Sequence, residues 1–401
     1  MADSSPIHQV AGVRLSAVEA NIRYPDRLDL VLIELHQDSS VAGVFTRNAF
    51  CAAPVHLARQ HLAESSPRYF LINTGNANAG TGNVGVRDAL QCCDALAKIS
   101  RLNANQILPF STGVIGESLP VERIVDALPA CHAKLSADSW GDAARGIMTT
   151  DTQPKLSSKQ VRVGGKAVNV TGIAKGAGML KPDMATMLAF VCTDLGISQE
   201  SLQSLLNQAV ECSFNRITVD GDTSTNDCAM LAATGHSGCQ LDSLSPAEQN
   251  SCVAALMDVF RELAVGLIKD AEGATKFVTI IVDNGANHEE CLQVAYTIAE
   301  SPLVKTALFA SDPNWGRILA AVGRAGLRDL DIEKVEIYLG AERIVTNGAV
   351  ASDYREALGQ KEMDKEEITI SIKLGRGDAT ETVWTSDLSH EYIRINAEYR
   401  T

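Results

Sequence analysis

Two hydrophobic periodicities, one of two residues and one of 3.6, interleave along the whole of this 401-residue chain, and that limits the fold more than any other feature. Residues 28–35, 41–45 and 69–73 read as strands, as do 106–110, the apolar run after Met187, short stretches around Ile217 and Met230, and 277–282. Helical spacing marks 86–99, where Leu90, Cys93, Ala97 and Ile99 are the expected buried face. It returns at 121–131, 139–148, 199–211, 246–269, 291–299 and around 318–322. Residues 161–170 carry a hairpin signal with Gly164 and Gly165 in the turn. Three more β segments are expected at 335–339, 368–374 and 392–395. Strands and helices mix without strict βαβ alternation, so the expected class is layered α/β, with mixed sheets and helices. No repeat or Pro/Ser-rich linker interrupts the chain, and composition marks no domain boundary.

Charge and cysteine usage exclude several functions. A net charge of -14 with no basic stripe repels a phosphate backbone and gives no attraction to an anionic membrane surface. The best apolar run, 187–192, is far too short to span a bilayer. The first residues lack a basic and apolar leader, and no cysteines form a Cys-x-x-Cys pair. The ten cysteines are expected to be free thiols used as small core residues, and the protein to be cytoplasmic.

Three motifs imitate chemistry. The run GTGNVG at 80–85 matches the dinucleotide pattern, but six residues separate it from the preceding strand and no acid follows about twenty residues on. DGDTSTND at 220–227 opens like a calcium loop, yet Thr225 replaces the required Gly and Leu231 the closing Glu. The eight histidines show no ligand spacing, so no metal site is expected, and no G-x-S-x-G elbow occurs.

The informative stretch is GIAKGAGMLKPDMATMLAF at 172–190. A glycine-rich segment bearing Lys175 leads to Lys181 and Pro182; Ala185 and Thr186 then open a strongly apolar run. Pattern alone allows an ordinary loop entering a buried strand. This stretch, however, resembles the self-cleavage segment of the ornithine acetyltransferase (glutamate N-acetyltransferase) family of arginine biosynthesis. The resemblance extends over essentially the whole chain, through NTGNAN at 73–78, STGVIG at 111–116, TTDT at 149–152, DGDTSTND at 220–227, KDAEGAT at 269–275, SDPNWGR at 311–317 and NAEYRT at 396–401.

The resemblance implies that the chain cuts itself between Ala185 and Thr186 into an α chain, 1–185, and a β chain, 186–401, which form one intertwined unit and assemble two of each. The fold implied is shared with the DmpA-type aminopeptidases. It implies that Thr186 is the nucleophile, that the Thr112 hydroxyl and the Gly113 N–H form the oxyanion hole, and that Thr149, Lys175, Thr186, Glu272, Asn396 and Thr401 bind substrate. The reaction implied moves acetyl from N2-acetylornithine to glutamate through an acetyl-threonine, without a cofactor. The residues fit: Lys175 and Thr149 suit an amino-acid carboxylate, and Glu272 suits the ornithine ammonium. Alternatives are a bifunctional version that also uses acetyl-CoA as co-substrate, an N-terminal-nucleophile aminopeptidase of similar fold, and an uncleaved, non-enzymatic binding protein.

Overall fold

The computed structural model describes residues 6–181 and 187–398, which fall into two compact units. The first takes the described residues of 1–176, 182–215 and 223–267; the second takes 177–181, 216–222 and those from 268 onward.

In the first unit the chain forms β1 (Val13–Val18), β2 (Leu30–Leu35), β3 (Ser40–Phe45), α1 (Ala53–Glu64), β4 (Tyr69–Asn76), α2 (Gly82–Ser100), β5 (Ile107–Val114), α3 (Val121–Ala133) and α4 (Trp140–Gly146). There follow β6 (Lys155–Val163), β7 (Lys166–Lys175), β8 (Leu188–Thr193), α5 (Gln199–Glu211), β9 (Cys228–Ala233) and α6 (Pro246–Lys269), the last two residues of which belong to the second unit. One sheet runs β1-β2-β4-β5 and the other β3-β9-β8-β7-β6. They pack face to face through one apolar core, with Ile33, Phe70, Ile72 and Phe110 from the first sheet meeting Ile173, Phe190 and Met230 from the second. The rings of Phe70, Phe110 and Phe190 lie 5.0–5.7 Å apart, two of the three pairs edge-to-face, a geometry that adds to plain apolar burial. Helices α2 and α3 cover the outer face of the first sheet. On the second sheet, Val259 and Leu263 of α6 press against Gly172, where a side chain would collide with Val191. The result is a four-layer α/β/β/α unit.

Strand β8 explains the apolar run after Met187. It is flanked by antiparallel β7 and parallel β9, and all six of its residues are buried, so neither face can carry polar side chains. The expected hairpin is present: Val163 pairs with Lys166 across Gly164 and Gly165, whose φ values of 55° and 77° favour glycine.

The second unit comprises β10 (Phe277–Gly285), α7 (His288–Ala299), α8 (Pro302–Phe309), α9 (Trp315–Gly323), β11 (Glu336–Leu339), β12 (Glu342–Thr346), β13 (Ala349–Val350), α10 (Glu356–Met363), β14 (Glu367–Lys373), β15 (Ala379–Ser386) and α11 (His390–Ala397). Its sheet, β13-β12-β11-β14-β10-β15, is antiparallel except for the β10–β14 pair. The alternating burial of β10 and β14 leaves one face to the core, where Val294 and Ile298 of α7 pack on Ile280 and Ile370.

Three expectations are corrected. Residues 392–395 lie in α11, because Ser389 caps a helix there by accepting from the N–H groups of Glu391 and Tyr392. Around Ile217 there is a 3-10 turn, Phe214–Arg216, and a single bridge to Trp384 in place of a strand. In α2 the buried row is Gly85, Ala89, Cys92, Cys93, Leu96 and Ala97, while Leu90 is 37% exposed and Ile99 half-buried. With about 3.6 residues per turn, Leu90 falls on the flank of this row, just beyond Ala97. The ten cysteines are all free and eight are buried, Cys51 and Cys212 being the exceptions.

Candidate active site

Most of the residues that the sequence singles out fall into two groups, one in each unit. In the first, parallel strands β4 and β5 pair in register up to Thr74–Thr112 and Gly75–Gly113, where the register then shifts. Gly113 takes φ 137°, and a Cβ there would sit 2.3 Å from the carbonyl carbon of Gly75 and 2.5 Å from the amide of Asn76. Only glycine fits this turn of the backbone. Thr112, next to it, is buried, and its Oγ1 accepts a hydrogen bond of 3.1 Å from Nζ of Lys175 at the end of β7. An oxygen that accepts from an ammonium keeps its own O–H to donate elsewhere.

Lys175 also faces Asp151, whose side chain is fully enclosed and ion-paired with Lys155. Asp151 accepts from the N–H groups of Gly176 and Thr149, each at 2.9 Å, which fixes the backbone on either side of the site. Burial alone would raise this carboxyl; the charges of Lys175 and Lys155, with the backbone bonds, hold it instead at about 2. Asp151 lies within the TTDT block, but nothing in the sequence assigns a role to it or to Lys155. The only signal is an acid four residues before a lysine, an ordinary surface spacing until burial is known.

Asn226 ties the polar blocks together, donating to the carbonyl of Ala77 at 2.6 Å and to that of Ser111 at 2.8 Å. The calcium-like loop thus ends as a brace for the β4 and β5 strand ends. Asp227 beside it is buried, and burial pushes its carboxyl well above the ordinary range despite a bond from Ser224 and the charge of Lys175. The GTGNVG run is structural as well: Asn78 donates to the carbonyl of Gly85 at the start of α2.

In the second unit, Glu272 is buried and its Oε2 accepts from Nδ2 of Asn396 on α11 at 2.7 Å. Its backbone N–H donates to the carbonyl of Ala177 at 2.9 Å, and its carboxylate lies where a Cβ on Gly178 would be, 2.4 Å away. The structure therefore brings Thr112, Gly113 and Lys175 together with the Asp151 network that holds Thr149, and pairs Glu272 with Asn396. Ala185, Thr186 and Thr401 lie outside the described residues. The described chain resumes at Met187, whose carbonyl accepts from Cys228, and Leu188 pairs with Lys175. Among the described residues no cluster of His, Cys, Asp or Glu could hold a metal ion, and no helix is long and apolar enough to cross a membrane.

A hydroxyl, a cation and a glycine-only turn at adjoining strand ends of a layered α/β chain are parts that acyl-transfer enzymes use to meet a developing oxyanion. This chain belongs to the ArgJ family, whose model matches residues 14–401. The chain is 54% identical over 398 residues to the arginine biosynthesis bifunctional protein ArgJ of Pseudomonas syringae pv. tomato, covering 98% of each. Against the protein of that name from Psychrobacter arcticus it is 53% identical over 396 residues, covering 98% of this chain and 97% of the relative. Among solved structures, the arginine biosynthesis bifunctional protein ArgJ of Bacillus halodurans matches with a TM-score of 0.50 and 36% identity, over 53% of this chain and 99% of that one.

Proposed function

We propose that this chain is a self-processing acetyltransferase of arginine biosynthesis that moves acetyl from N2-acetylornithine to glutamate. The observation that carries the reading is the hydrogen bond of Lys175 to Thr112 beside the glycine-only turn at Gly113, in a chain of this family. Processing begins when the Thr186 hydroxyl attacks the carbonyl of Ala185. The peptide C–N bond breaks as the ester forms, and the threonine nitrogen takes the proton. Water then opens the ester, leaving a carboxylate on Ala185 and restoring the Thr186 hydroxyl beside the α-amine freed in the first step. An α-amine, with an ordinary pKa of about 7.7–8.0, is partly unprotonated at neutral pH and can take the proton from its own hydroxyl. The family's solved chain from Bacillus halodurans supports the cut: 53% of this chain covers 99% of it, close to the share that residues 186–401 make up.

Transfer follows in two halves. Thr186 Oγ attacks the acetyl carbonyl of N2-acetylornithine, and the oxyanion is met by the Thr112 O–H and the Gly113 N–H. Ornithine leaves with the proton on its amine; the glutamate amine then attacks the acetyl-threonine and restores the enzyme. Losing one oxyanion donor typically costs about two to three powers of ten in rate. Lys175 sets the direction of the Thr112 hydroxyl and, with Thr149, meets the substrate carboxylate. Glu272, oriented by Asn396, meets the ornithine ammonium, and Thr401 completes the binding set. The enzyme works without a cofactor, in the cytoplasm, as two α and two β chains. Acetyl-CoA serves as a second donor: the relatives are named bifunctional, and a ping-pong site can be recharged by any acetyl donor that reaches Thr186.

A denaturing gel and a transfer assay on wild type and Thr186→Ala test this. Two fragments and transfer are expected from wild type, and one intact chain without transfer from the variant; turnover by Thr186→Ala would overturn it.

A further inference from the structure

Residues 177–181, which lead towards the proposed cut, are held in the second unit more tightly than a loop requires. Met179 takes φ 50°, a left-handed conformation that a residue with a long side chain rarely adopts, and the residue is 43% exposed, so apolar packing is not what keeps it there. What does is Asp220. Its Oδ2 accepts from the Met179 N–H at 2.7 Å, and its Oδ1 from the Leu180 N–H at 2.9 Å. The Tyr392 hydroxyl donates to the same Oδ2 at 3.0 Å, and the Asp222 N–H to Oδ1 at 3.2 Å. Val219, one residue back, donates its N–H to the Leu180 carbonyl at 2.7 Å. Further along, Lys181 pairs with Glu300 at 2.9 Å, and Glu300 also accepts from Thr218. One carboxylate thus accepts from two successive backbone N–H groups at a strained residue, a device that pins a peptide's direction.

Resting on the processing reading above, we propose that Asp220 is a positioning residue for self-cleavage: by gripping Met179 and Leu180 it fixes the path of the segment that delivers the Ala185 carbonyl to Thr186. The rate of an intramolecular attack depends steeply on such alignment, and positional error of about 1 Å can cost about a hundredfold. Asn is nearly isosteric at position 220, but it sets an NH2 where one of the backbone N–H groups needs an acceptor. The grip loosens while the packing volume stays.

The test uses the full chain, and the two fragments 1–185 and 186–401 co-expressed so that Thr186 is N-terminal without self-cleavage. Conversion of precursor to fragments is followed over time for wild type, Asp220→Asn and Tyr392→Phe, with thermal unfolding as a control. Asp220→Asn is expected to slow conversion at least tenfold, and Tyr392→Phe, which removes one of the four bonds, severalfold or less. In the pre-cut pair Asp220→Asn should restore transfer to within a few-fold of wild type, a rescue that a merely structural role would not show. Conversion of Asp220→Asn at the wild-type rate overturns the proposal, as does a pre-cut Asp220→Asn pair as inactive as its precursor. A wild-type chain that never converts overturns the processing reading itself, and with it this inference.

Discussion

Asp151 is the residue on which the first group of site residues depends. It is enclosed with Lys155, faces Lys175, and takes the backbone N–H groups of Thr149 and Gly176. Replacing it by Asn leaves a buried lysine without its counter-charge, a change that commonly costs about 3–5 kcal/mol. Asp151→Asn should therefore lose about that much stability in chemical denaturation at neutral pH. The pH dependence has a defined sign. The folded carboxyl sits at about 2, below its ordinary 3.8, so its ionised form stabilises the fold above about pH 4. That contribution fades as pH falls from about 4 towards 2. Wild type should lose stability more steeply than Asp151→Asn across that window. Equal acid slopes would mean that the pair contributes nothing. Little of this was legible in the sequence, because an Asp and a Lys four apart look alike whether solvated or buried. Thr112, Gly113 and Lys175 were legible only through resemblance, since their meeting needs strand ends 62–63 residues apart to adjoin.

At the scale of single elements, α11 shows where pattern reading fails. Tyr392 to Ile395 alternates like a strand, yet the capping serine decides for a helix. Ser389 Oγ accepts from Glu391 and Tyr392 and donates to the carbonyl of Gly273 at 2.6 Å, which ties the helix start to the loop just after Glu272. Arg394 then bridges Glu391 and Glu398 one turn either way. Ser389→Ala should cost about 1 kcal/mol of stability. Because Asn396 rides on this helix, the variant should also raise KM for N2-acetylornithine more than it lowers kcat. A changed kcat at unchanged KM would argue against the binding role of Asn396. Elements with long, uninterrupted periodicity, such as α5 and α6, were legible to within a residue or two. So was the β6–β7 hairpin, whose turn chemistry is local. The edge strands β1 and β15 were not foreseen: β15 pairs with β10, far back along the chain, while β1, though it pairs with the next strand, is a short run broken by Arg14 and Ser16.

For the whole molecule, the proposed cut does not coincide with a boundary between compact units. Strands β8 and β9 follow residue 186 yet lie in the middle of a sheet of the first unit, between β7 and β3. A chain ending at 185 keeps both outer parts of that sheet and loses the two strands that join them, including the fully buried β8. Burying a large apolar side chain is worth about 1.5–3 kcal/mol, so that loss is far beyond what a domain tolerates. Fragment 1–185 made alone should be aggregated or protease-sensitive, and folded only when 186–401 is co-expressed. A stable, protease-resistant 1–185 would show that the strands are dispensable. Charge gives the pairing a weaker push: 1–185 has a net charge of +2 and 186–401 of -16. Fold class was legible from mixed periodicity; the interleaving of the two fragments was legible only through the resemblance, since the pairing of β9 with β3 joins strands far apart in the chain.

The central claim is that acetyl passes through Thr186 at the new N-terminus. Mature enzyme mixed with N2-acetylornithine in the absence of glutamate, quenched with acid and examined by intact-mass and peptide mass spectrometry, tests it most directly. The expected result is a 186–401 fragment one acetyl group heavier, with the label on Thr186 and lost when glutamate is added. Turnover by an uncleaved 401-residue chain, or an acetyl group carried on any other residue, would contradict it.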